Sequence, residues 1–67
     1  MAATVASRIV RARDRLKLSD ADLARRLKVT RSTVHDWVHG EHEPNLASLR
    51  RISKALGVDL SELLGEA

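Results

Sequence analysis

A chain of 67 residues can build one hydrophobic core and leaves no room for a second module. It has no cysteine, which excludes disulfides, thiolate metal sites and a cysteine nucleophile and suits a reducing intracellular setting. Twelve Lys and Arg against nine Asp and Glu leave a small positive balance that favours a polyanionic partner without requiring one.

The stretch from Met1 to Val10 holds no apolar run of signal-peptide length, and no segment approaches the length of a membrane span. The expectation is a soluble, cytoplasmic protein with no membrane partner. Basic residues gather in Arg8 to Lys17, Arg25 to Arg31 and Arg50 to Lys54, whereas Asp59, Glu62 and Glu66 make the C-terminal end acidic, so a two-sided molecule is expected. With one proline, three glycines and a single Trp, the composition argues against a sheet and for an all-α, compact five-helix domain.

In chain order, Val5, Ile9, Ala12 and Leu16 fall at helical spacing and mark the inner face of a first helix ending near Lys17. Ser19 opens Ser-Asp-Ala-Asp, a capping box with Asp22 that starts a second helix reaching about Leu27. Lys28 and Val29 leave almost no connection before Thr30, whose hydroxyl caps a third helix from Arg31, so the two helices must cross steeply. The third helix closes at Gly40, and a loop from Glu41 to Pro44 leads to Asn45, a cap for a fourth helix with Leu46, Leu49, Ile52, Ser53 and Leu56 inside. Gly57 suits a left-handed helix end. Asp59 with Glu62 predicts a further capping box for a short fifth helix carrying Leu60, Leu63 and Leu64. The single domain therefore spans 1–67, with a helix-turn-helix at about 20–39 and C-terminal helices at about 45–56 and 60–64.

Placed 100° apart, Arg31, Ser32, His35, Asp36 and His39 share an arc of roughly 140° on the third helix, while Thr33, Val34, Trp37 and Val38 take the opposite side. A solvated polar face is the ordinary explanation of such a pattern. The tight turn before it changes the balance, because a short helix, a turn and an amphipathic helix let the second helix protrude far enough to enter a DNA groove. Ala24 permits the close helix contact this needs. Ala24, Val34 and Trp37 are expected in the core, Trp37 being on the inner arc rather than placed to stack on a base.

The residues Leu18-Ser19, Leu23-Ala24, Val29 to Val34, Trp37, Gly40, Pro44, Leu49 and Ile52 to Val58 together resemble the lambda-repressor-like, Cro-type helix-turn-helix domains, which include the xenobiotic-response-element transcriptional regulators. The likeness covers nearly the whole chain. It implies double-stranded DNA as partner, with Arg31, Ser32 and Asp36 at positions that read base edges and His35 beside them. It implies phosphate contacts at Ser19, Thr33, His39 and Asn45, to which Lys28 and Thr30 are added. Chemistry agrees for Arg31, which can donate two parallel hydrogen bonds to guanine O6 and N7. Asp36 can accept from cytosine N4 or orient Arg31 or Ser32 instead. The N-termini of the second and fourth helices would favour phosphate through free amides and the helix dipole.

Four places depart from the family pattern. Asp20 stands where Gln is common, which puts one backbone contact in doubt, and Glu41 and Glu43 make an often basic loop acidic. Val38 replaces an acidic partner and leaves Arg13 for phosphate or solvent. Lys17 and Lys28 occupy positions where turn glycines are frequent, and a left-handed lysine costs roughly 1–2 kcal/mol.

Other readings are weaker. His35 and His39 are four apart and His42 follows, a spacing that can share a metal, but the dipole alone favours a histidine near a helix C-terminus and no carboxylate stands out as converging on them. No metal, cofactor or small-molecule substrate is expected. No glycine-rich phosphate loop, carboxylate pair in an apolar setting, or serine with a placed base argues for an enzyme. The rival is a protein-interaction module of the same fold, such as an antitoxin, for which the Glu41 to Glu43 loop is the best support. A homodimer through Leu60, Leu63 and Leu64 is expected, because these leucines exceed what so small a core would cover.

Overall fold

The computed structural model describes residues 4–65; the chain ends, including Met1 and Glu66, lie outside the described residues. Five α-helices follow one another: α1 (Val5–Arg15), α2 (Asp20–Leu27), α3 (Arg31–Val38), α4 (Leu46–Leu56) and α5 (Leu60–Leu64). No strand occurs among the described residues.

Local chemistry sets most of the boundaries. Thr4 and Ser7 form a reciprocal capping box on α1: the Ser7 amide donates to Thr4 Oγ1 at 3.1 Å and the Thr4 amide to Ser7 Oγ at 2.9 Å. Ser19 and Asp22 do the same on α2, Thr30 caps α3 through the Thr33 amide at 3.2 Å, and Asn45 caps α4 through the Ser48 amide at 2.8 Å. Asp59 differs from the expectation. It precedes α5 without any side-chain cap bond, so no capping box forms with Glu62.

The helix ends share one device. At α1, α2 and α3 the chain turns through a left-handed residue, Lys17, Lys28 and Gly40 respectively. The next amide then bonds back to a carbonyl in the last turn, as in Leu18 to Arg13 at 3.3 Å, Val29 to Ala24 at 3.1 Å and Glu41 to Asp36 at 2.9 Å. This closure satisfies carbonyls that a helix end otherwise leaves orphaned.

Ile9, Ala12, Leu23, Ala24, Leu27, Val34, Trp37, Leu49, Ile52, Leu56 and Leu63 form one buried cluster drawn from all five helices. Helix α3 packs chiefly on α2 and then on α1, while α4 and α5 close the other side. Two residues placed inside by their spacing are outside: Leu16 is 46% exposed and Leu46 is 50% exposed. Both lie at a helix margin. Leu16 has left α1 by the turn at Lys17, and Leu46 is the first residue of α4, where the helix has not yet reached its neighbours. Leu63 errs in the other direction. It is 1% exposed and belongs to the core, so it cannot line a dimer interface; Leu60 and Leu64 are partly buried against the same cluster.

Candidate nucleic-acid interface

Helix α3 is fixed from beneath. Val34 and Trp37 are buried among α1 and α2 residues, and Ala24 is buried on the facing helix, where its single methyl admits the close approach. Val34 and Trp37 share one helix face, and locking it inward turns the opposite arc of Ser32, His35 and His39 outward with Arg31 at its edge; all four are exposed. Asp36 is partly exposed beside them.

The N-terminal end of this face carries hydroxyls and one cation. Thr30 Oγ1 lies 2.8 Å from Thr33 Oγ1 and 3.3 Å from Ser32 Oγ, so three hydroxyls crowd the helix start. Arg31 takes no hydrogen bond or ion pair among the described residues, and its five donors are free for an outside acceptor. Ser19, Lys28 and Asn45 are exposed on neighbouring turns and helix starts. The positions named from sequence as base-side and phosphate-side residues thus all reach solvent, Thr33 and Asp36 only in part.

Asp36 does not orient Arg31 or Ser32. Its Oδ2 lies 3.2 Å from His42 Nδ1 and its Oδ1 3.8 Å from His35 Nδ1, so it belongs to the C-terminal end of the face. The left-handed turn at Gly40 brings His42 and Glu41 back over the last helical turn, with both their amides bonded to the Asp36 carbonyl. Carboxylates therefore do converge on the histidines, contrary to the sequence reading. The signal in the sequence is Gly40 two residues past Val38 with His35 and Asp36 in the last helical turn, since a left-handed glycine there folds the next residues back over the helix end.

Arg13 also departs from the expectation. With no acid at Val38 it is not released to solvent: its guanidinium pairs with Asp20 at the start of α2 and lies 3.3 Å from Asp14 Oδ1. Two departures from the family pattern thus answer each other. The start of α2 carries two carboxylates, Asp20 and Asp22. The Asp22 carboxyl is held below its ordinary pKa by the Ser19 backbone amide, then by the Ser19 hydroxyl and Arg25, as hydrogen bonds to a charged carboxylate require. Phosphate approaching α2 meets these acids as well as the helix dipole.

The model of the Helix-turn-helix family matches residues 9–63. The chain is 33% identical over 63 residues to an immunity repressor protein of Bacillus phage phi105, covering 94% of this chain and 44% of that protein. It is 36% identical over 58 residues to multiprotein-bridging factor 1c of Arabidopsis thaliana, covering 87% of this chain and 39% of that one. The chain therefore spans less than half the length of these curated relatives. Among solved structures it matches the P22 c2 repressor protein, crystallised with a synthetic operator, with a TM-score of 0.89 and 30% identity, over 98% of this chain and 100% of that one.

Proposed function

This chain belongs to the Helix-turn-helix family, whose model takes in residues 9–63, and on that premise we propose that it binds double-stranded DNA sequence-specifically as a regulator of the repressor type. The observation that carries the reading is the outward face of α3, headed by Arg31, which has no side-chain partner among the described residues, and anchored from behind by Val34 and Trp37. The likeness to a repressor solved with its operator supports it.

In this reading Arg31 and Ser32 read base edges, with His35 and Asp36 following along the groove. Thr30, Thr33 and Asn45, with Ser19, Lys28 and His39, hold the flanking phosphates. Occupation of a promoter then suffices for repression. Two chains bind half-sites one DNA turn apart, about 34–36 Å between recognition helices, with Leu60 and Leu64 as candidates for the contact between them. The family and fold are those of DNA-binding regulators, and no residue is assigned a catalytic role. The place of action is the cytoplasm of a bacterial host, on bacterial or phage DNA.

Selection of binding sites from random duplexes, followed by titration of Arg31→Ala and Ser32→Ala, tests the proposal. Loss of a bidentate arginine contact costs about 1–3 kcal/mol at the base it reads, so Arg31→Ala should relax preference at one position. If both variants stay folded and keep wild-type affinity and preference, the reading is wrong.

A second reading, a protein-interaction module, draws on the exposed acidic pair Glu41 and Glu43 and on the relative named for bridging proteins. Neutralising the pair separates the two. Glu41→Gln with Glu43→Gln should leave DNA affinity unchanged or raise it, since both acids repel phosphate, and should weaken binding of a protein partner held through this loop.

A further inference from the structure

We propose that His35, Asp36 and Glu41 form a binding site for one divalent transition-metal ion of the zinc, nickel or copper class. One imidazole nitrogen and two carboxylate oxygens from these residues lie within 4.8 Å of one another. The backbone brings them together. His35 and Asp36 are neighbours on the last full turn of α3, and the left-handed Gly40 folds the chain so that the Glu41 amide bonds the Asp36 carbonyl at 2.9 Å.

The donor set selects the kind of ion. Imidazole with carboxylate suits zinc, nickel and copper, whereas magnesium and calcium take oxygen ligands. Ligands on one tetrahedral zinc ion, with bonds near 2.0–2.1 Å, stand about 3.4 Å apart, so the three side chains must draw together by up to about 1.4 Å. Two of the three are free to move: the His35 side chain is half exposed, and Glu41 is exposed and forms no side-chain hydrogen bond or ion pair among the described residues, while Asp36 is held by His42 through Oδ2 and keeps Oδ1 for the ion.

Electrostatics favours a cation here independently of the ligand geometry. The two carboxylates sit at the C-terminal end of α3, where the helix dipole is negative. The surrounding histidines complete an outer layer, as orienting partners commonly do around a metal. His42 Nδ1 lies 3.2 Å from Asp36 Oδ2, and the His39 ring packs on the His35 ring with centroids 4.0 Å apart. Three protein ligands leave the remaining coordination to solvent.

This inference stands without the DNA-binding reading, since the ion is taken up by the free protein. The two meet at His35 and Asp36, which a bound ion withdraws from contact with bases.

Calorimetric titration of the whole chain with zinc chloride in the absence of DNA, alongside NMR of the histidine ring protons, tests the site. One saturable site is expected, with the His35 ring shifting on binding and no heat from magnesium chloride. His35→Asn and Glu41→Gln should each weaken zinc binding by more than the roughly 10–100-fold lost when only an orienting partner is removed. Their melting curves without zinc should match the wild type, because both positions are exposed. The assignment is overturned if no saturable binding occurs, or if either variant binds zinc as the parent does. Loss of binding in His39→Asn with full retention in Glu41→Gln would instead mark a simple histidine pair.

Discussion

The guanidinium of Arg13 on α1 is paired with the carboxylate of Asp20, the first residue of α2, and the two side chains are only 17% and 24% exposed. The pair joins consecutive helices beside the turn at Lys17. It also spends the acid on a structural contact, at the position where the resembling family commonly offers a phosphate ligand. Asp20→Ala should therefore destabilise the domain by about 1–3 kcal/mol, since it leaves a largely buried guanidinium with only the exposed Asp14 as partner. Thermal melts of Asp20→Ala, Arg13→Ala and the double variant check this, the expected result being a double loss smaller than the sum of the single ones.

Acid should weaken the fold through Asp22. Its carboxyl titrates below the ordinary 3.8 because Ser19 and Arg25 hold the charged form. The unfolded chain thus takes up the proton first as pH falls. The contribution of Asp22 is complete well above 3.8, and is lost as pH drops past 3.8 and through the lower folded value. Asp22→Asn should flatten this acid limb while lowering stability at neutral pH, as read from denaturant midpoints measured along a pH series.

The left-handed lysines offer a test with opposite signs. Lys17 and Lys28 have φ of 56° and 57°, a conformation costing roughly 1–2 kcal/mol for a residue with a Cβ, against a glycine entropy cost of roughly 0.5–1 kcal/mol. Lys17→Gly and Lys28→Gly should each raise stability by up to about 1 kcal/mol. Only Lys28→Gly should weaken DNA binding, with the salt slope reduced by about 0.9 for the one lost phosphate contact. Melting curves and binding titrations at several salt concentrations separate the two effects.

Asn45 separates capping from phosphate contact. Its Oδ1 accepts the Ser48 amide at 2.8 Å, and Asp can make the same cap whereas Ala cannot. Asn45→Ala should lose about 1 kcal/mol of stability and Asn45→Asp little. On DNA the order reverses, because the aspartate sets a negative charge against the phosphate. Equal DNA affinity for Asn45→Asp and the wild type would remove Asn45 from the phosphate-contacting set.

Much of this protein is written in short-range chemistry. The starts of α2, α3 and α4 follow from Ser19, Thr30 and Asn45, whose side chains cap amides three residues ahead, and the inward face of α3 follows from the spacing of Val34 and Trp37. Such interactions span one helical turn, so the order of residues alone determines them. Other features required the helices to meet. Leu16 and Leu46 carry the right spacing but sit past the edge of the packed faces, Leu63 goes fully inward, and Arg13 finds Asp20 rather than solvent. The gathering of His35, Asp36 and Glu41 depends on the turn at Gly40. Periodicity states which side of a helix is apolar; how far along that side a neighbour reaches is decided by crossing angles and turn shape, which exist only once the chain has folded.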